Sequence, residues 1–197
     1  MRVLDCHPGR HQATIAHAGE RDWPESNCYV DLLLGIVQAL GLEPRACLAF
    51  TVATEFEGDQ WTFYKPPHTD LHDFYGLRIE ELNVWRPVLE HVVGQVGGGR
   101  LPLVEVDAFY LPDTTQTDYR SRHTKTTIGV NAVDLEGERL EYFHNAGYYE
   151  LSGDDFRGLF RLDRDTPADW LAPYCEIAKL DHVTAVDSAT LRDLAMD

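Results

Sequence analysis

Cys28, His123 and Asn145 are the three side chains of this 197-residue chain whose types could combine into one chemistry. Cys28 stands in "WPESNCYVDLLLGIVQALGL", residues 23–42, at the head of a pattern that predicts a helix over about Cys28 to Leu40. Val30, Leu33, Leu34 and Val37 follow the i, i+3, i+4, i+7 spacing of one buried face, and Leu32, Ile36 and Ala39 cover the other side. A helix apolar all round belongs inside its domain. Its first turn still offers unpaired backbone N–H groups and partial positive charge, which favour a thiolate. The same N–H groups can hydrogen-bond the oxyanion formed when that thiolate attacks a carbonyl carbon. Free cysteine is equally a small hydrophobe that fills cores. On the helix alone both readings stand.

A cysteine nucleophile needs a base, and the chain has nine histidines. His7, His11 and His17 fall in a polar leader and are expected on a solvated surface. His68 and His72 have the spacing of metal ligands on a helix, but "KPPHTDLHDF" offers no matched third ligand, so no metal is expected. His91 is expected on the exposed side of a helix, and His182 lies in a weakly specified tail. His123 is different. It opens a strand after the polar loop 112–122, with Thr126, Ile128 and Val130 alternating behind it, so a rigid element would hold it at a cleft. On the return strand of the hairpin, "YFHNAGY" supplies Asn145, an amide that could orient the imidazole in the Cys–His–Asn manner. The alternative makes Asn145 a turn residue before Gly147.

Nearby residues have two readings each. Arg120, Arg122 and Lys125 in "YRSRHTK" could hold a phosphate, or could pair with some of the 33 carboxylates. Trp61, with Phe63 and Tyr64, could wall an acyl pocket or fill a core. Asp107 could bind a substrate amine or anchor a loop, and the structural role is the one expected. Cys6 has a Pro-Gly-flanked setting with no helix end to activate it.

The elements that must position these groups follow an α+β order. After the first helix, strands are expected at "CLAFTVA" and "QWTFYK", then a helix at "VWRPVLEHVVGQV" and a strand at "LPLVEVDAFYL". The words "HTKTTIGVNAVD" and "RLEYFHNAGYYEL", split by "LEGE", predict an antiparallel hairpin. "SGDDFRGLF" predicts a short helix capped by Ser152. The chain is read as one domain over 1–197, with a leader at 1–21 and a weakly specified segment at 163–197.

Composition excludes several functions. Seventeen basic against 33 acidic side chains give −16, which repels nucleic acid and anionic membrane surfaces, so neither is expected as a partner. "MRVLDCHPGRHQ" lacks the apolar core of a signal peptide, and the longest apolar stretch, Leu32 to Leu40, is too short to cross a bilayer. The four cysteines (Cys6, Cys28, Cys47, Cys175) form no Cys-x-x-Cys pair, which argues for reduced thiols and a cytoplasmic location.

Several long words, in order, resemble the bacterial family called domain of unknown function 1839: "NCYVDLLLGIVQALGLEP", "FEGDQWTFYKPP", "ELNVWRP", "DAFYLPDT", "HTKTTI" and "YFHNAGYYEL". The resemblance covers about Trp23 to Leu162. More distantly, "VDAFYLP" followed by His123 and Asn145 is similar to the amino-terminal domain of butirosin biosynthesis protein H. Those relatives resemble papain-like enzymes of the bacteriocin-leader-peptidase type. The resemblance implies a papain-like fold, with a central helix packed on an antiparallel sheet and a Cys28–His123–Asn145 triad. It implies a cysteine acyltransferase or thioesterase that takes an acyl group, expected to be aminoacyl, from a carrier-protein thioester to an amine or water. The implied partners are an acyl carrier protein and an amino acid:carrier-protein ligase. No cofactor is implied beyond the phosphopantetheine arm that the carrier delivers. Where papain-like enzymes carry glutamine, six positions before the cysteine, this chain has Asp22, so the oxyanion donors are expected to be the Cys28 N–H and the Asn27 side chain. Trp61, Asp107, Tyr110, Arg120, Arg122 and Lys125 are then the residues expected to face the substrate. The other classes left open are a cysteine peptidase or amidase, and a non-catalytic scaffold that docks a carrier.

Overall fold

Asn27 is extended, at φ −153 and ψ 99, and its side-chain oxygen accepts hydrogen bonds from the backbone N–H groups of Tyr29 and Val30. This cap starts α1, Cys28–Ala39, in the computed structural model, which describes residues 1–12, 27–164 and 171–196. Gly41, in the left-handed region at φ 75, stops the helix by turning its N–H back to the Gln38 carbonyl. Leu32, Leu33, Ile36 and Val37 are fully buried, each contributing about 1.5–3 kcal/mol of transfer free energy. The all-round apolar pattern therefore marks an interior helix, as expected.

The remaining elements are α2 (His68–Tyr75), β1 (Arg78–Glu81), α3 (Val88–Gly97), β2 (Leu101–Asp107), β3 (Lys125–Asp134), β4 (Arg139–His144), β5 (Gly147–Ser152), α4 (Asp154–Leu159), β6 (Cys175–Lys179) and α5 (Ser188–Leu194). The strands form one six-stranded sheet in the order β1-β6-β2-β3-β4-β5, and every neighbouring pair is antiparallel. Mixed helix and antiparallel sheet make this an α+β protein.

Two apolar clusters cover the two faces of the sheet. On one, α1 packs over Leu103 and Phe143, together with α2 residues such as Leu71 and Tyr75. Gly129 of β3 lies directly beneath α1: a Cβ there would come within 3.0 Å of Leu32 Cδ1 and 3.1 Å of Ile36 Cδ1, so glycine lets the helix approach. On the other face, α3 and Phe156 of α4 cover Val104, Ile128, Val130 and Tyr142. No helix among the described residues is long and apolar enough to cross a membrane.

Several sequence expectations are corrected. "CLAFTVA" is no strand; it belongs to a 3₁₀ stretch, Pro44–Ala53, capped by the Glu43 side chain. Its buried residues, Pro44, Ala46, Cys47 and Phe50, have helical rather than alternate spacing. "QWTFYK" contributes one isolated bridge, Phe56↔Trp61, because Trp61, Phe63 and Tyr64 are all exposed and neither face of a strand would be buried. "RLEYFHNAGYYEL" is two strands, not one, since Asn145 turns the chain at φ 47 between His144 and Gly147. Gly153 precedes α4 where Ser152 was expected to cap it, and Ser152 ends β5. The tail read as weakly specified contains β6, inserted between β1 and β2. The residues His17, Asp22, Trp23 and Ser26 lie outside the described residues.

Candidate functional site

The N-cap places Cys28 as the first residue of α1, where its side chain is half-buried. Cys47 and Cys175 are buried, and burial pushes both thiols up to about 12, so they stay protonated and inert at neutral pH. Burial also raises the Cys6 thiol. Asn27, expected as an oxyanion donor, is committed elsewhere: its Oδ1 caps the helix at 3.0 and 3.2 Å, and its Nδ2 donates to the Tyr64 carbonyl.

The start of α1 is pinned to the sheet by Glu176, a fully buried carboxylate on β6 that sequence reading missed. Its Oε2 accepts from the Tyr29 hydroxyl at 2.5 Å, and its Oε1 accepts from the Tyr174 hydroxyl at 2.8 Å and Lys65 Nζ at 3.3 Å. His68 Nε2 lies 3.4 Å from the same carboxylate and 3.2 Å from the Tyr29 hydroxyl, so this histidine belongs to the network. Burial, then the Lys65 charge, holds its pKa below the usual value against the pull of Glu176. An acidic residue in an all-buried β6 run gave no alternation by which to find it.

Glu176 pairs with Leu103 of β2, and the register continues without a break to Asp107↔Lys125. Asp107 Oδ2 lies 2.6 Å from His123 Nδ1, while Asp107 Oδ1 accepts the Phe109 N–H at 3.1 Å. The carboxylate requires the proton on Nδ1, which leaves Nε2 free to act as a base. Phe109 stacks on the imidazole at 4.5 Å and 15°, fixing its plane. Asp107 is thus both loop anchor and orienter of His123, and the second role was not read from sequence.

His123 and Asp107 border a cavity of about 590 Å³, shared with Tyr110, Lys125, Arg161 and Arg164. Cys28 is not among its described lining residues. The structure therefore brings His123, Asp107, Tyr110 and Lys125 together around a cavity that Val106 and the end of α4 also line, on the face opposite α1, and places Cys28 at the head of α1. Asn145 does not hold His123 Nδ1, which belongs to Asp107; Asn145 is the hairpin-turn residue of the alternative reading.

The basic word is paired as its second reading held. Arg120 binds Asp155 at 2.5 Å, Arg122 lies 3.6 Å from Asp118, and Lys125 binds Glu105 at 2.7 Å. Trp61 is 66% exposed and forms no buried wall. His91, expected on the surface, is buried, and its Nε2 accepts the Trp85 N–H at 3.3 Å. A second buried histidine, His144, sits on the face of the sheet opposite α1, between Asp113 at 2.5 Å and Thr126 at 2.8 Å. Among the described residues no group of three or more His, Cys, Asp or Glu side chains converges as metal ligands.

A sequence model of one family, the DUF1839 N-terminal domain, matches residues 12–180. No curated protein matches the chain.

Proposed function

The chain belongs to the DUF1839 N-terminal domain family, and from that premise and the geometry of His123 we propose that it is a cysteine-dependent acyl-transfer enzyme. The observation that carries the reading is the Asp107–His123 pair: an exposed imidazole held through Nδ1 and opening on a cavity, in a protein whose interior helix α1 carries Cys28 at its first residue. A cysteine heading an interior helix packed on antiparallel strands is also the arrangement of a papain-like enzyme, the fold proposed here.

In the proposed reaction His123 Nε2 takes the Cys28 thiol proton, and the thiolate attacks the carbonyl carbon of an acyl thioester. The tetrahedral oxyanion is stabilised by backbone N–H groups at the start of α1. It collapses with loss of the carrier thiolate, which recovers the proton from His123, leaving an acyl-Cys28 enzyme. An amine or water then attacks this acyl group, giving its proton to Nε2, and the Cys28 thiol is restored. Asp107 takes the orienting place first expected for Asn145. Cys28 Sγ and Nε2 must come within hydrogen-bonding reach in the reacting complex, a distance that often tightens only when substrate is bound.

The proposed acyl donor is an acyl carrier protein, with an aminoacyl group. At −16 the chain repels an acidic carrier at long range, so binding should strengthen as salt screens that repulsion. Intact-protein mass spectrometry after mixing with aminoacyl-carrier thioesters tests the reading. One acyl mass, absent from Cys28→Ala, supports it. Peptide cleavage without an acyl adduct would favour a peptidase, and neither activity would favour a carrier-docking scaffold.

A further inference from the structure

A helix that is apolar on every side has no stripe to fix its rotation. Leu32, Leu33, Leu34, Ile36 and Val37 of α1 are all at most 2% exposed, so burial alone does not choose which face meets the sheet. Rotation decides where the first residue points. At a radius of about 5 Å, a turn of roughly 20° about the axis carries a side-chain end by about 2 Å. Where helices pack through uniformly apolar seams, one buried polar contact can select the register.

Tyr29 supplies such a contact one residue after Cys28. It is 8% exposed; its hydroxyl donates to Glu176 Oε2 at 2.5 Å and lies 3.2 Å from His68 Nε2, while Lys65 Nζ sits 4.7 Å over the ring. The phenol is thus located from the sheet, from α2 and from the segment before α2. Burial, with the Glu176 charge adding to it, pushes its pKa far up, so the hydroxyl stays a donor.

The acceptor is itself fixed. Glu176 is 1% exposed on β6 and is held also by the Tyr174 hydroxyl at 2.8 Å and Lys65 Nζ at 3.3 Å. A buried carboxylate of this kind adds little net stability over an apolar side chain of similar volume, so stability alone does not account for it. The sheet carries its placement toward His123. Glu176 lies opposite Leu103 of β2, four residues before Asp107, or about 13 Å along one strand. β2 therefore joins the neighbour of the Tyr29 anchor to the carboxylate that binds His123.

We propose that the buried Tyr29–Glu176 contact sets the rotational register of α1, which makes Glu176 a positioning residue for Cys28 relative to the Asp107–His123 pair. The purpose of the device rests on the acyl-transfer reading; its geometry does not.

Iodoacetamide alkylation of Cys28 against pH, read by peptide mass spectrometry on the full chain, gives a plateau and a midpoint. The plateau reports how freely the thiolate meets the reagent, and the midpoint reports the thiol pKa. Tyr29→Phe removes a hydroxyl from α1, whereas Tyr174→Phe removes one from the same carboxylate but not from the helix. Tyr29→Phe should change the plateau about three-fold or more with the midpoint held, and should slow turnover of glycyl-pantetheine about ten-fold with KM near wild type. Glu176→Gln leaves Tyr29 a weaker, uncharged acceptor and should give a smaller change of the same sign. Tyr174→Phe should match wild type. An unmoved plateau in both Tyr29→Phe and Glu176→Gln overturns the register, as does an equal change in Tyr174→Phe; a midpoint that moves alone does so too, because it assigns Glu176 an electrostatic role. If the plateau changes but the wild-type chain takes no acyl label, the register stands and the acyl-transfer reading falls. Acyl labelling that proceeds at the wild-type rate in Tyr29→Phe, with an unmoved plateau, gives the reverse.

Discussion

Replacing Asp113 with Ala should destabilise the protein by several kcal/mol, although the residue lies on the far face of the sheet from α1. Asp113 Oδ1 accepts the Tyr142 hydroxyl at 2.6 Å, and Oδ2 lies 2.5 Å from His144 Nδ1. Tyr142 and His144 are both at most 1% exposed, so neither can turn to solvent. The substitution leaves two buried donors without an acceptor, at about 1–3 kcal/mol each, or roughly 2–6 kcal/mol together. A water in the vacated space would recover part of that. Asp113→Asn keeps one acceptor and should cost about half as much. For a chain of this size each kcal/mol lowers the melting temperature by about 2–4 °C, so a mid-range loss in the alanine variant is roughly 8–16 °C. Urea unfolding followed by tryptophan fluorescence measures the free energy directly. A loss below about 1 kcal/mol in the alanine variant, or equal losses in both, would refute the account of this buried network.

The pH dependence of stability has a defined sign. Burial holds His11, His68 and His91 below the ordinary value of 6.5, so the unfolded chain binds more protons below that pH and stability falls as the pH drops from 7.5 to 5.5. Thermal melts across that range should show the decline, and His11→Phe should flatten it. Glu141 adds a lower window: despite burial, hydrogen bonds from Arg2 and Tyr148 hold its carboxyl below 4.5, so its contribution is lost as acid protonates it. Glu141→Gln should remove that part of the acid transition in a denaturation titration. Asn27→Ala should cost about 1 kcal/mol through the lost cap. Because its amide already donates to Tyr64, acyl transfer in that variant should fall less than the roughly 100-fold loss of a true oxyanion donor. Gly76→Ala should be among the most damaging glycine substitutions, since the position has φ 66 and a Cβ there would sit 2.0 Å from the His182 carbonyl oxygen; expression and melting temperature report it.

What could be read from sequence was what periodicity or capping encodes. The interior helix, its Asn27 cap and its Gly41 stop were legible because each follows from local chemistry over a dozen residues. The β3–β4 hairpin was legible from alternation on both sides of a turn. β6 was not, because a strand buried on both faces shows no alternation, and its neighbours β1 and β2 are far away in the chain. Pairing across distance was the larger loss. His123 was singled out by its place at a strand mouth, but its orienting partner lies on β2 rather than on the hairpin, and only the β2–β3 register puts Asp107 beside Lys125.

The central claim is that Cys28 and His123 act as one unit, and the rate of Cys28 alkylation by iodoacetamide against pH tests it most directly. The modified cysteine is identified by peptide mass spectrometry, and wild type is compared with His123→Ala and Asp107→Asn. Coupling predicts a thiol reactive at neutral pH that slows at least about ten-fold in His123→Ala, a change of 1.4 kcal/mol, with a smaller loss in Asp107→Asn. Superimposable pH profiles for all three proteins, each rising only near the ordinary thiol value of about 8.5, would contradict it.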